Sequence, residues 1–173
     1  MKTKTIKNLG LAAVFLLAIA IAPALAQTSK NLTINLSLVE WYDLSLSPTT
    51  ISFTDVAPTP GANPPSADIS ADFTVGVTSF AVIIPTSGLK LTVKAAGDFD
   101  TTIPASTVSW TAGGTGYVGG QLSKITNVTV GSWDAGPIVH YHTGTLSFTF
   151  HRDYETQKPG DYNITATFTL SKA

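Results

Sequence analysis

From Leu32 onward the chain alternates apolar and polar positions: Leu32, Ile34, Leu36 and Leu38 against Thr33, Asn35, Ser37 and Val39. A period of two puts the two sets on opposite faces of an extended strand, so the stretch Lys30 to Phe53 is expected to open with a β-strand. Val39-Glu40-Trp41 disturbs the pattern, which resumes in phase at Tyr42, Leu44 and Leu46. One strand of that length would exceed the usual five or six residues, which makes Glu40 a joint between two pieces. Pro48 ends the second piece, and Ile51 with Phe53 begins another short strand.

Residues 57–66 hold four prolines, a glycine and an asparagine, a composition that neither pairs in a sheet nor packs in a core, and they read as a surface loop. Alternation returns at Ile69, Ala71, Phe73, Val75 and Val77, followed by an apolar run from Phe80 to Ile84 and a further strand through Leu89, Leu91, Val93 and Ala95. Thr86-Ser87-Gly88 reads as a hairpin turn between the last two. Val108 and Trp110 lead into a glycine-rich loop, Gly113 to Gly120, expected to be mobile. The phase slip between Ile125 and Val128 suggests a bulge. Near the C-terminus, Leu146, Phe148 and Phe150 are expected to pair antiparallel with Tyr162, Ile164, Ala166, Phe168 and Leu170 across a Pro159-Gly160 turn, because proline presets the first turn position and glycine accepts the next. About nine short strands with polar turns and no helical periodicity define an all-β protein. The expected fold is an antiparallel two-sheet β-sandwich or jelly roll with an extended N-terminal strand.

The residues before Leu32 change the picture in a different way. Lys2, Lys4 and Lys7 precede an apolar run from Leu9 to Ile21, then Pro23 and Ala24-Leu25-Ala26 ahead of Gln27. This is the pattern of a secretory signal peptide over residues 1–26, too short in its apolar part for a bilayer span of about 20 residues. The expected organisation is therefore a cleaved leader at 1–26, an N-terminal strand at 27–40 and a sandwich domain at 41–173, in a secreted protein with no membrane segment after cleavage.

Charge is scarce. Lys, Arg, Asp and Glu make up 12% of the chain, and the leader carries three of the ten basic residues and none of the eleven acids. Seven bases against eleven acids leave the processed chain at minus four, which offers no electrostatic case for nucleic acid. Ser and Thr stand where charges usually keep molecules apart, a surface better suited to an assembly or to a coat of glycans than to a dispersed enzyme. With no cysteine in the chain, disulfides and thiolate metal sites are ruled out, and so is thiol catalysis.

Each cluster with chemical potential has a plain structural alternative. His140 and His142 share a strand face and could grip a metal with His151 or Asp134 as a third ligand, or they are a surface pair on a half-exposed strand. Asp98 and Asp100 could bind calcium, although two carboxylates are few, and they fit a turn whose carboxylates cap local amides. No serine sits in a nucleophile elbow, and Gly113-Gly114-Thr115-Gly116 opens no helix that could cradle a phosphate. No catalytic residue and no cofactor is expected. Trp41, Trp110, Trp133, Tyr117 and Tyr141 are the side chains a sugar-binding module would stack with, or they pack in core and rim. Asn31, Asn35, Asn127 and Asn163 stand in Asn-X-Ser/Thr sequons, which are N-glycosylation acceptors if the host modifies exported proteins and ordinary strand asparagines if it does not.

An exported, cysteine-free, Ser/Thr-rich sandwich that begins with the alternating strand Leu32 to Leu38 and ends in the Gly-Asp-Tyr strand Gly160 to Leu170 resembles donor-strand-complemented filament subunits. These include archaeal bundling pili and bacterial biofilm-matrix fibre proteins. The resemblance implies a jelly-roll subunit without catalysis that forms a homo-polymer, a pilus or biofilm fibre at the cell surface active in adhesion. Assembly would run through Leu32, Ile34, Leu36 and Leu38. A monomeric secreted sandwich that binds carbohydrate or a surface partner is the alternative reading.

Overall fold

Residues 32–55, 57, 58, 61 and 65–173 are described by the structure, a computed structural model. The expected leader at 1–26 and Asn31 lie outside them. The chain divides into two units, 1–37 and 38–173, and the second is the β-domain.

Among the described residues it has nine strands: β1 (Trp41–Ser47), β2 (Ser66–Ser70), β3 (Val75–Val82), β4 (Leu89–Ala95), β5 (Val108–Gly113), β6 (Gly120–Gln121), β7 (Val128–Trp133), β8 (Val139–Asp153) and β9 (Ala166–Lys172). They build two antiparallel sheets packed as a sandwich. The larger runs β1-β3-β8-β5-β6, with β2 also paired to β8, and the smaller runs β7-β4-β9. Strand β8 is the spine. One of its edges takes β3 along 139–146 and β2 along 149–153, while the other takes β5 along 145–150. Among the described residues the only helical turn is a 3-10 turn at Ala105–Thr107.

Alternation fixes which side of each strand faces in. On β3, Val75, Val77, Ser79 and Ala81 are buried between half-exposed neighbours, and on β4 Leu89, Leu91, Val93 and Ala95 do the same. Apart from Ser79, they form one apolar core between the sheets with Val130, Trp133, Tyr117, Trp110, Leu146 and Phe148. Each fully buried aliphatic side chain there is worth roughly 1.5–3 kcal/mol relative to exposure.

Several connections differ from those expected. Strand β8 belongs to the larger sheet and β9 pairs with β4 in the smaller one, so the Pro159-Gly160 turn starts a crossover between sheets and not a hairpin. Thr86-Ser87-Gly88 likewise carries the chain from β3 in one sheet to β4 in the other. A turn signal reports that the chain reverses, and in a sandwich the reversal can lead to either layer. Ile51 and Phe53 form no strand; Phe53 makes a single bridge to Ala71. The bulge lies at Val130, where the β4–β7 register skips between Leu91 and Thr92, and Ile125 is exposed outside any strand. Residues 32–40 belong to no ladder, so β1 starts at Trp41, just after the expected joint.

The glycine-rich loop packs down on the core. Tyr117 is buried at 7% exposure, and its hydroxyl donates to the His142 carbonyl at 3.1 Å. Trp133 Nε1 donates to the Thr115 carbonyl at 2.9 Å, and Trp110 Nε1 donates to that of Val118 at 2.9 Å. Gly116 allows this closeness: its φ is +83°, and a Cβ there would lie 2.3 Å from Trp133 Nε1.

A candidate strand-binding groove

Among the described residues β1 ends the larger sheet and β9 ends the smaller one, so each presents there an edge of backbone donors and acceptors without a strand partner. Their inward rows are Tyr42, Leu44 and Leu46 on β1, and Phe168 and Leu170 on β9, with Ile164 in the segment leading into β9. All are only half-buried, unlike the inward rows of β3 and β4. Alternation continues back from β9 to Tyr162, yet residues 158–165 join no ladder.

Between these two margins the sandwich opens into a groove of about 690 Å³. Leu46, Ile51 and Phe53 line one wall, and Ile164, Ala166 and Phe168 line the other. Its floor reaches core residues Val75, Ile103, Val108 and Leu122. An opening with apolar walls into a protein core leaves those walls without the close contacts that a filled interior provides.

The β1 and β9 margins are joined where β1 begins. Glu40 Oε1 lies 2.6 Å from Lys172 Nζ and accepts from the Ile84 amide at 3.3 Å, and Glu40 Oε2 accepts from the Tyr42 hydroxyl at 3.3 Å. The Lys172 ammonium holds the Glu40 carboxyl below its ordinary range, and the carboxylate in turn raises Lys172. Glu40, the joint inferred from the broken alternation, thus anchors the residue before β1 to both sheets.

The side chains of the alternating N-terminal row are laid open: Leu32, Ile34, Leu36 and Leu38 are 79–83% exposed. Asn35, Asn127 and Asn163 are exposed as an acceptor side chain must be, and Asn163 borders the groove.

His140 and His142 do share one face, but it is the inward one and not the surface. His140 is 1% exposed, and its Nδ1 lies 3.3 Å from His142 Nε2, so the pair shares a hydrogen bond. The His142 ring stacks on Trp133 at 4.3 Å, and burial followed by the neighbouring His140 lowers its pKa. Among the described residues no group of three His, Asp or Glu side chains converges as a metal site. His151 pairs instead with Asp68 at 2.7 Å.

Asp98 and Asp100 serve the turn. Asp98 pairs with Lys124 and accepts from the Ala105 amide at 3.0 Å, which in that order lower its pKa, while Asp100 accepts from the Thr101 hydroxyl at 3.0 Å. A shallower hollow of about 440 Å³ is lined by Asp153 and Glu155, but Asp153 accepts from the Glu155 amide and the Thr156 hydroxyl and so closes its own turn. Of the five aromatics singled out, Trp110, Trp133 and Tyr117 are core, whereas Trp41 and Tyr141 are 54% and 64% exposed.

No protein-family model matches the chain, and no curated protein is found to be related to it.

Proposed function

We propose that the protein is a secreted structural subunit of an extracellular pilus or biofilm-type filament. In this reading Leu32, Ile34, Leu36 and Leu38 of one copy insert into the groove between β1 and β9 of the next. The observation that carries it is the groove itself: the ends of two edge strands, at Leu46 of β1 and at Ala166 and Phe168 of β9, flank an opening that reaches the core, and the same chain supplies an alternating apolar row of strand length. Such β-strand addition takes affinity from backbone hydrogen bonds and specificity from pockets for alternate side chains. Donor and acceptor are different surfaces, so the contact is head-to-tail and propagates as a fibre.

Magnitudes show what the contact needs. Burying four aliphatic side chains contributes about 6–12 kcal/mol. Ordering seven residues costs about 7–14 kcal/mol in backbone entropy. These nearly cancel, so ladder hydrogen bonds, at roughly 0.5–1.5 kcal/mol net each, decide the affinity. The free edge of β9 offers them.

The test is electron microscopy and light scattering of the processed protein, with and without residues 27–39. Filaments are expected from the full chain; the truncated chain is expected to stay folded and soluble, unable to polymerise, and to bind the 27–39 peptide when it is added back. A processed chain that stays monomeric at high concentration, with a truncation that merely unfolds, would defeat the filament reading. The second reading, a lone sandwich that binds carbohydrate, is favoured by one observation, the exposure of Trp41 and Tyr141.

A further inference from the structure

Strands β1, β3 and β8 align residue for residue, and their outward face changes character along its length. Trp41, Val82 and Val139 form one row across the three strands, and Asp43, Phe80 and Tyr141 form the next. Beyond them come Ser45, Thr78 and Thr143, then Ser47, Gly76 and Thr145. The face is hydroxyl-rich at one end and apolar at the other, where Ile84, two residues beyond Val82, is also exposed. Trp41 and Phe80 meet edge to face at 5.1 Å, which fixes part of this patch as a firm surface. Asp43 is the single charge among the twelve outward positions. Exposed apolar side chains are ordinary when scattered, but a contiguous patch on an otherwise polar sheet face marks a contact surface.

The patch lies where the chain enters β1. Only Val39 and Glu40 separate Leu38 from Trp41, a reach of about 10 Å at full extension. Glu40, held by Lys172 and the Ile84 amide, fixes where the preceding residues leave the domain. Whatever receives Leu38 must therefore stand against this end of the sheet.

We infer that this apolar end of the outer face, centred on Trp41, Val139 and Tyr141, is a second contact between consecutive copies. It seats against the rim of the copy whose groove receives the 32–38 row. The inference rests on the filament reading and adds to it a surface that stiffens the joint: strand insertion alone leaves two domains hinged at Val39-Glu40, and apolar seating locks their relative angle. The near absence of charge suits a protein neighbour with the same Ser/Thr-rich, charge-poor surface.

The experiment compares assembly of the processed wild-type chain with Val139→Thr/Tyr141→Thr, whose threonines keep strand preference on an exposed face. The critical concentration for filaments is expected to rise at least tenfold, and the remaining fibres to bend more in electron micrographs. A photo-crosslinking residue placed at Tyr141 in an otherwise wild-type chain guards against a folding defect; its crosslinks are expected to join position 141 to groove-rim residues of another copy, within 46–53 or 158–168. Unchanged assembly and stiffness of the double variant, or crosslinks confined to one copy, would overturn the second contact while leaving strand insertion intact. Wild-type filaments with unchanged variant assembly but lost retention on a neutral polysaccharide would assign the patch to sugar binding instead. A monomeric wild type would defeat the filament reading itself.

Discussion

The two sides of this sandwich are finished to different degrees. Between β4, β7 and β5 the interior is closed: Leu89, Leu91 and Val130 are fully buried, and Trp133 and Tyr117 meet edge to face at 5.0 Å beneath the glycine-rich loop. Between β1 and β9 the same alternation leaves Leu46, Ile164 and Phe168 half-buried around an open groove. The residue types are alike on both sides. The difference is a neighbour: on the closed side, which also ends in strand edges at β6 and β7, the glycine-rich loop bonds to β7 through the Val118 and Ser132 amides, whereas between β1 and β9 a gap is left open. An unfinished margin beside finished packing is what a subunit completed by another copy requires.

The sharpest way to break this contrast is truncation on each side. Leu91→Ala or Leu146→Ala, both at 0% exposure, should cost about 2–5 kcal/mol in denaturant unfolding of the isolated subunit. Phe168→Ala should cost the isolated subunit less than either, yet weaken binding of the 27–39 peptide at least tenfold. Equal losses of stability at Phe168 and Leu91 would mean that the groove is closed in solution. On the closed side, Gly116→Ala should cost roughly 1–3 kcal/mol, because the position needs positive φ and the methyl group would meet Trp133.

A smaller effect comes from pH, and its sign follows from His142. Its pKa is lowered in the fold by burial and by His140, so the unfolded chain binds the proton more readily. Stability should be full above the unfolded value near 6.5 and fall as pH drops below it, levelling once the folded form is also protonated. Thermal midpoints between pH 7.5 and 5 should show the decline, and His142→Asn should flatten it. The smallest effect is expected from Glu40→Gln. This exposed pair adds little to stability. Its Glu40 contribution should be full above the ordinary carboxyl value of about 4.5 and be lost as pH falls through the lower folded value, so in thermal melts the variant should differ from wild type above about 4.5 and converge on it in more acid solution.

Much of the fold was legible from residues alone, and the limits were physical. Alternation announces a strand with one buried face, which is why the rows at Leu89–Ala95 and Leu146–Phe150 were found. It does not name the partner, which is why Tyr162–Leu170 was paired with β8 when β9 lies on β4 in the other sheet. The histidine pair was legible as two rings on one face; that the face is inward depends on Trp133, which arrives from another strand. The alternating row at 32–38 was visible as a pattern, and the groove was not. Leu44 and Leu46 alternate just as Val75 and Val77 do, and only the packing of the two sheets reveals which row lacks a cover.

The most direct measurement is hydrogen exchange of the processed chain over a range of concentrations, read at residues 162–172. Completion of the groove by another copy predicts that amides on the free edge of β9 exchange rapidly in dilute monomer and gain protection as assembly proceeds, together with amides of 32–38. Protection already full in dilute monomer, and independent of concentration, would assign the row to its own sandwich and contradict the account.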